Sequence, residues 1–448
     1  MALDTKFIDE ILLAVRQGDV ELLERCLSLS PNPDEHLNRI FDEAMQQCTL
    51  LTIACLNGHE HIVNMVLSNY KPDLEVQNNI LFGDENRKPQ MCTNVTVLWV
   101  AAAVNNFQIV QLLVEHGANV NHTTKTNSTP LRSACYNGNL DIARYLINHG
   151  ADVHITKENN DTNLAVSVYR KHLPMATYLV DELSCDVNVC DSDGRSPLYD
   201  AVNCGSVELV EFLLNRGARN FRAIYDQMSP LMWAAERRRI DLVKLIASHC
   251  SLIEQIEAEE LLASAFICTD LDERDFEQCF EHLHRALELR SVHRIPKVLP
   301  ATNDVFDHRQ ECQTIEQLKE LQSNPSSLCI EVLLVRERLL GPKNAEYRYS
   351  LRHYGAFLAD NTQYHQAIAL WMYELRLRQD HSIEIDSENL RHFASIFSEM
   401  IYLSLSIPIE ALLTVMKVIV EMLKTATPEF DYNLYTLLFL ITIASRVC

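Results

Sequence analysis

The chain is poor in glycine, with 11 residues in 448. None of them builds a GxGxxG or GxxxxGK(S/T) pattern, so phosphate-cradling loops are not expected. HExxH and GxSxG are absent as well, which removes two common signatures of metal and serine hydrolysis. No enzyme activity, cofactor or metal is therefore expected. No apolar run reaches the roughly 18–20 residues of a membrane span. Basic residues are scarce: 39 Lys and Arg face 61 Asp and Glu, for a net charge of −22. That balance argues against nucleic acid and anionic membrane as partners, since both need basic surface, and it suits basic protein partners. The 14 cysteines include no CxxC pair and read as reduced thiols in cytosol or nucleus. The opening stretch "MALDTKFIDEILLAV" carries acids early and no long apolar core, so no signal peptide is expected. Four sequons, at Asn94, Asn121, Asn127 and Asn160, would matter only in a secreted protein.

What the chain does have is repetition. Leu98, Leu131, Leu164, Leu198 and Leu231 each follow a turn-like polar stretch, at spacings of 33, 33, 34 and 33 residues. An earlier copy is centred on Leu51, 47 residues before Leu98. A period of 33 is the mark of the ankyrin repeat, a turn followed by two antiparallel helices. The copy "NSTPLRSACYNGNLDIARYLINHGADVHI" explains itself locally. Thr129 can cap a helix and Pro130 fits its first position. Ala134 permits close stacking, and Gly138 suits the left-handed residue that ends the helix. Leu140, Ile142, Ala143, Leu146 and Ile147 recur at helical spacing. One such hairpin cannot bury its own apolar face, but a stack of them can.

The glycine position reads Gly58, Asn105, Gly138, Lys171, Gly205 and Arg238. Lys and Arg tolerate the left-handed conformation less well than Asn, so the copies around Lys171 and Arg238 are degenerate. With the capping copy "FIDEILLAVRQGDVELLERCL", about seven units are expected over residues 1–255. A segment at 77–94, "QNNILFGDENRKPQMCTN", is extra to the period and reads as a long loop containing Phe82 and Asp84. Loops of that length in a repeat array are often functional.

After residue 255 the period stops, and the sequence stays helical. In "LRHYGAFLADNTQYHQAIALWMYELRLRQ", Gly355, Ala367 and Trp371 match the small, small and aromatic positions of a tetratricopeptide hairpin, with Leu351 and Leu358 as packing residues. The expected fold is all-α: an ankyrin-repeat solenoid over 1–255, then a tetratricopeptide-like helical region over 256–448. Cys279, His282 and His284 in "CFEHLH" lack the spacing and the fourth ligand of a metal site and read as ordinary helical residues.

Several stretches resemble the feminization-one (Fem-one) family of ankyrin proteins: "NHTTKTNSTPLRSACYNGNLDIARYL", "VLLVRERLLGP", "YGAFLADN…ALWMYEL" and "NLYTLLFL". The resemblance implies a substrate receptor of a cullin-two RING ubiquitin ligase, joined through elongins B and C. Such receptors hold the C-terminal peptide of a target protein, often one ending in arginine, on the concave ankyrin surface. It implies a degron-binding set of Phe82, Asp84, Trp99, Asn127, Ser128, Tyr136 and Asn137. Asn137 stands where the family carries an acid, which implies a weakened preference for terminal arginine that Asn137→Asp would strengthen. The zinc-binding pair of one branch falls on Ser192 and Asp193, so metal binding is not implied. No elongin-binding box of the form (Ser/Thr/Ala/Pro)-Leu-x3-Cys is recognisable, and the chain stops on "LYTLLFLITIASRVC". The expectation is a fragment, or a chain that retains substrate binding without ligase docking. The rival expectation is an ankyrin scaffold with no link to ubiquitin.

Overall fold

The computed structural model describes residues 2–43, 46–83, 89–268, 273–385, 387–424 and 430–447. They fall into two compact units, Met1–Ala223 and Ile224–Cys448.

Among the described residues the first unit contains six helical hairpins. They are α1 (Ala2–Gln17) with α2 (Val20–Leu29), then, after the short α3 (Pro33–Asn38), α4 (Leu50–Leu56) with α5 (Glu60–Asn69). There follow α6 (Val97–Ala103) with α7 (Phe107–Glu115), α8 (Pro130–Asn137) with α9 (Leu140–Asn148), α10 (Asn163–Tyr169) with α11 (Leu173–Thr177), and α12 (Pro197–Cys204) with α13 (Val207–Leu214). The first helices stack side by side. Their index leucines Leu98, Leu131, Leu164 and Leu198 are at most 1% exposed. Each of these helices starts on a hydroxyl cap. Thr49, Thr96, Thr129, Thr162 and Ser196 accept from the N–H three residues on, which satisfies a donor the helix leaves orphaned. Gly138 closes α8 at φ +73, and a Cβ there would meet the His172 ring at 2.5 Å. Lys171 takes the same left-handed conformation at φ +64 and Asn105 does so at φ +64. The stacking of hairpins thus imposes the turn even where the residue disfavours it.

An asparagine ladder ties one repeat to the next. The amide of Asn121 donates to the Gly150 carbonyl (2.9 Å), and that of Asn188 donates to the Gly217 carbonyl (3.1 Å). Asn127 donates to Thr156 (2.6 Å) and Asn160 to Cys190 (2.7 Å). Asn127 and Asn160 both hold positive φ, +61 and +59, a conformation that Asn accepts.

The 77–94 segment is not the loop expected of it. It forms β3 (Asn78–Phe82) and β4 (Gln90–Val95), which join β1 (Phe41–Glu43) and β2 (Gln46–Cys48) in an antiparallel sheet of order β1-β2-β3-β4. The turns of two successive repeats are therefore lengthened into strands that satisfy each other. "NILF" and "MCTNV" have the β-branched and apolar content of strands. Asn78, 1% exposed, anchors the sheet to the repeats: its oxygen accepts from Thr49 N–H (2.7 Å) and its amide donates to Val76 (2.8 Å) and Val95 (3.2 Å).

The second unit opens with a hairpin of the same kind, α14 (Pro230–Glu236) with α15 (Ile240–Ala247). The repeat pattern thus runs to about residue 255, while the compact unit ends at 223. α14 packs on α16, and residues far along the chain reach it and the turn before it: Arg336 pairs with Glu236, and the Asn344 amide donates to the Asp226 carbonyl at 2.7 Å. Among the described residues nine further α-helices follow: α16 (Leu252–Ala265), α17 (Phe276–His293), α18 (Ile315–Leu321), α19 (Pro325–Leu340), α20 (Ala345–Asp360), α21 (Tyr364–Asp380), α22 (Ser387–Tyr402), α23 (Ile409–Leu423) and α24 (Phe430–Val447). In the α20–α21 hairpin Gly355 faces Trp371 so closely that a Cβ would lie 2.3 Å from Nε1. The Trp371 indole donates to the Arg352 carbonyl at 3.1 Å. The irregular strap between α17 and α18 is held by buried charges: Lys297 and Arg338 both pair with Glu311, and Arg290 and Arg338 with Glu260.

Candidate functional site

A cavity of about 440 Å³ lies in the first unit, between β4 and the first helices of successive repeats. The stacking period decides what lines it. Counting from the index leucine, Ser133, Val166 and Asp200 occupy one position of three successive copies, and Ala103, Tyr136 and Tyr169 another. Stacked helices place such residues in columns, and two columns face the cavity.

Five of the seven residues expected at the site line it: Phe82, Trp99, Ser128, Tyr136 and Asn137. Phe82 meets Trp99 edge-on at 5.8 Å, and the Trp99 indole donates to the Ser128 hydroxyl at 3.3 Å. The Tyr136 ring lies under the Arg170 guanidinium at 4.3 Å. Asp84 lies outside the described residues. Asn127 does not line this cavity; its amide belongs to the ladder, and Asn160 makes the equivalent bond one repeat later. Asn137 borders the cavity with its amide nitrogen committed to the end of α6, donating to Ala103 (2.9 Å) and Ala102 (3.3 Å) carbonyls. An aspartate there would set a carboxylate against two carbonyl oxygens. The geometry therefore gives Asn137 a structural task that the expected gain from Asn137→Asp did not include.

The sequence reading missed the charged residues: Arg132, Lys157, Asp161, Asp191, Arg195 and Asp200. Arg132, 7% exposed, is fully engaged. It forms an ion pair with Asp161 and donates to the Asp161 (2.8 Å) and Thr162 (3.1 Å) carbonyls. Asp191 accepts from its own turn, from Asp193 N–H (3.0 Å) and Arg195 N–H (2.8 Å). Arg195 reaches Asp193 at 3.5 Å, and its Nε is buried without a hydrogen bond among the described residues. Asp200 is different. It is half-buried on the first turn of α12, and among the described residues its carboxylate has no hydrogen bond or ion pair. Burial, then the negative charges of Asp161 and Asp191, push its carboxyl up to about 7, against the opposing pull of Arg195. A carboxylate so placed gains most from a ligand that brings a positive charge.

The Cys279, His282 and His284 group does not converge. Cys279 is buried, His282 pairs with Glu259 at 2.7 Å and stacks on Phe266, and His284 lies against Phe280. Among the described residues, no cluster of potential ligands is arranged to hold a metal ion. No helix of the described residues is long and apolar enough to cross a membrane.

Capped, leucine-indexed hairpins in a stack define an ankyrin-repeat protein, and the family model for ankyrin repeats matches residues 76–157 and 162–256. Among curated proteins the chain is 30% identical to protein fem-1 homolog A of Rattus norvegicus over 432 residues, covering 86% of this chain and 64% of the relative. It is 35% identical to a fem-1 homolog of Drosophila melanogaster over 409 residues, 89% of this chain and 59% of the relative. It is 32% identical to protein fem-1 homolog C of Bos taurus over 183 residues. The chain belongs to the Fem-1 family of ankyrin-repeat proteins. It spans somewhat less than two thirds of the length of the rat and fly relatives.

Proposed function

We propose that this protein is the substrate-recognition subunit of a cullin-two RING ubiquitin ligase. It binds the C-terminal peptide of its targets in the cavity beside β4 and has no catalytic residues of its own. The observation that carries the peptide reading is Asp200, an unpartnered, half-buried carboxylate in a cavity that also holds Trp99, Tyr136 and Tyr169. Aromatic walls supply contact area, and the carboxylate selects a ligand with an arginine or lysine side chain. Family membership supports the ligase reading. Capture of a target raises its local concentration near the ligase, which is all that a receptor needs to do.

Calorimetric titration with short peptides tests the first part. Free-carboxylate peptides carrying an arginine should bind at least tenfold more tightly than the same peptides amidated at the C-terminus. Equal affinities would sink the C-terminal reading. Co-purification tests the second part: the full-length protein isolated from cells should carry elongins B and C and cullin-two. Their absence, with peptide binding intact, would make the protein an ankyrin scaffold.

A further inference from the structure

β4 is the outermost strand of the sheet, with β3 on its inner side. Four consecutive residues of it, Gln90, Met91, Cys92 and Thr93, line the cavity. Successive side chains of a strand point to opposite faces. A cavity touched by four in a row therefore lies against the edge of the strand.

The polarity of that edge can be assigned. The Thr93 carbonyl accepts from the Lys125 N–H at 3.0 Å, outside the β3–β4 ladder. In a strand the N–H and C=O of one residue point the same way, and the direction repeats every second residue. The N–H and C=O of Met91, and the N–H of Thr93, therefore face outward into the cavity. Gln90 and Cys92 turn inward, opposite Phe82 and Ile80 of β3. Among the described residues, the Lys125 contact is the only backbone bond on the outward side of β4.

An open strand edge is a template for another strand. We propose that β4 is the docking edge of the site: an extended ligand peptide pairs with Met91 and lies in the cavity as a fifth strand. The inference rests on the peptide-binding reading above and adds how the peptide is held. At about 3.3 Å per residue, Gln90–Thr93 offers roughly 10 Å of edge, enough to fix the register of two or three ligand residues. Main-chain bonds then supply affinity for any sequence. Only alternate ligand side chains reach the helix columns that carry Tyr136 and Asp200, so the specificity is written at every second position.

The test uses the full chain and the tightest binder from a set of short free-carboxylate peptides containing arginine. That peptide is resynthesised with one backbone amide N-methylated at a time, and each analogue is titrated. Affinity should fall about three- to tenfold, or more where the methyl also clashes, at the one position whose N–H pairs with the Met91 carbonyl, and hold steady at the positions on either side of it. Met91→Pro removes an outward N–H without removing a bond to β3 and should give a similar fall. Met91→Ala, which keeps the backbone donor, should not. A peptide that binds and tolerates methylation at every position, or weakens to the same degree at all of them, overturns the docking edge and leaves the peptide reading standing. Failure of every peptide to bind overturns both. The methylation scan needs no variant protein, so misfolding of Met91→Pro cannot obscure the result.

Discussion

The guanidinium of Arg336 and the carboxylate of Glu236 form a two-pronged ion pair, at 2.9 and 2.7 Å, across 100 residues of sequence. The arginine side chain is 1% exposed and the glutamate 10%. Arg336 also donates to the Ser264 hydroxyl at 3.0 Å and the Glu346 carbonyl at 3.3 Å, so one side chain joins α14, α16 and α20 within the second unit. Removing one partner of such a pair leaves the other charge buried and alone. Arg336→Ala is expected to destabilise this unit by about 3–5 kcal/mol, measured by urea denaturation of the full chain. A loss below about 1 kcal/mol would mean that water reaches the pair freely.

Asp200 should make ligand binding depend on pH. Its carboxyl titrates at about 7. Above that value it is ionised and can hold a cationic side chain; below it the charge is gone. Affinity for an arginine-bearing peptide should fall about fivefold between pH 8 and pH 6, the difference between a charge-assisted and a neutral hydrogen bond. Asp200→Asn should bind weakly at both values and show no slope. The stability sign is opposite. The folded pKa lies above the unfolded one, so the native state binds this proton more tightly. The group's contribution to stability is full below about pH 4 and is lost as pH rises through about 7. Anisotropy titrations at the two pH values decide it, and a slope that survives Asp200→Asn would assign the dependence elsewhere.

Asn137→Asp should cost stability and gain nothing in binding. The substitution removes the two amide bonds to Ala102 and Ala103 and sets a negative charge at the C-terminal end of α6, where the helix dipole is already negative. The expected loss is about 1–3 kcal/mol by thermal or chemical denaturation. Tighter binding of an arginine-ended peptide by this variant would show that the side chain at position 137 acts on the ligand rather than on α6.

Asn127→Ala should separate structure from binding in the other direction. It forfeits the bond to Thr156 and forces a Cβ-bearing residue with no compensating polarity to hold φ +61. A loss of about 1–3 kcal/mol is expected, with peptide affinity unchanged in the folded protein. A large change in affinity at constant stability would count against the ladder assignment.

Lys171→Gly should stabilise the first unit. Lys171 ends α10 at φ +64, the role Gly138 fills one repeat earlier. Relief of the left-handed strain exceeds the entropy that glycine adds to the unfolded chain, for a net gain of about 0.5–1 kcal/mol. Unchanged stability would show that the lysine stem packs well enough to offset the strain.

The repeat was legible because its signals are local. A hydroxyl cap, a proline and a leucine sit at fixed offsets, and the 33-residue spacing carries them from copy to copy. Trp99, Ser128 and Tyr136 could be placed at the site on that basis together with family resemblance. The charged residues were not found because they come from different copies: Arg132 and Asp161 belong to adjacent repeats, and Asp200 to a third. Aligning the copies by column offers the missing signal, since a lone aspartate stands where the preceding repeats have Ser133 and Val166. The strands escaped notice for another reason. β3 pairs along its length with β4 just downstream and at Asn79 with Gln47, but neither "NNILF" nor "QMCTNV" alternates polar and apolar residues, so the hairpin leaves no period-two trace. The expectation of a boundary near 255 followed the end of the 33-residue period, whereas α14 packs on α16 within the second unit.

The asparagine ladder has a consequence for where this chain can fold. Asn121, Asn127 and Asn160 are all sequons, and in each the side-chain nitrogen that would receive a glycan is the atom donating to the next repeat. Sugar on any of the three would replace one of the two amide hydrogens with a bulky group at the rung and wedge the neighbouring turn away from it. Threaded into a compartment with an active oligosaccharyltransferase, the chain would be modified before its repeats could close, and the stack could not zip past the modified copy. The same three residues that join the repeats would make passage through a secretory route a folding defect.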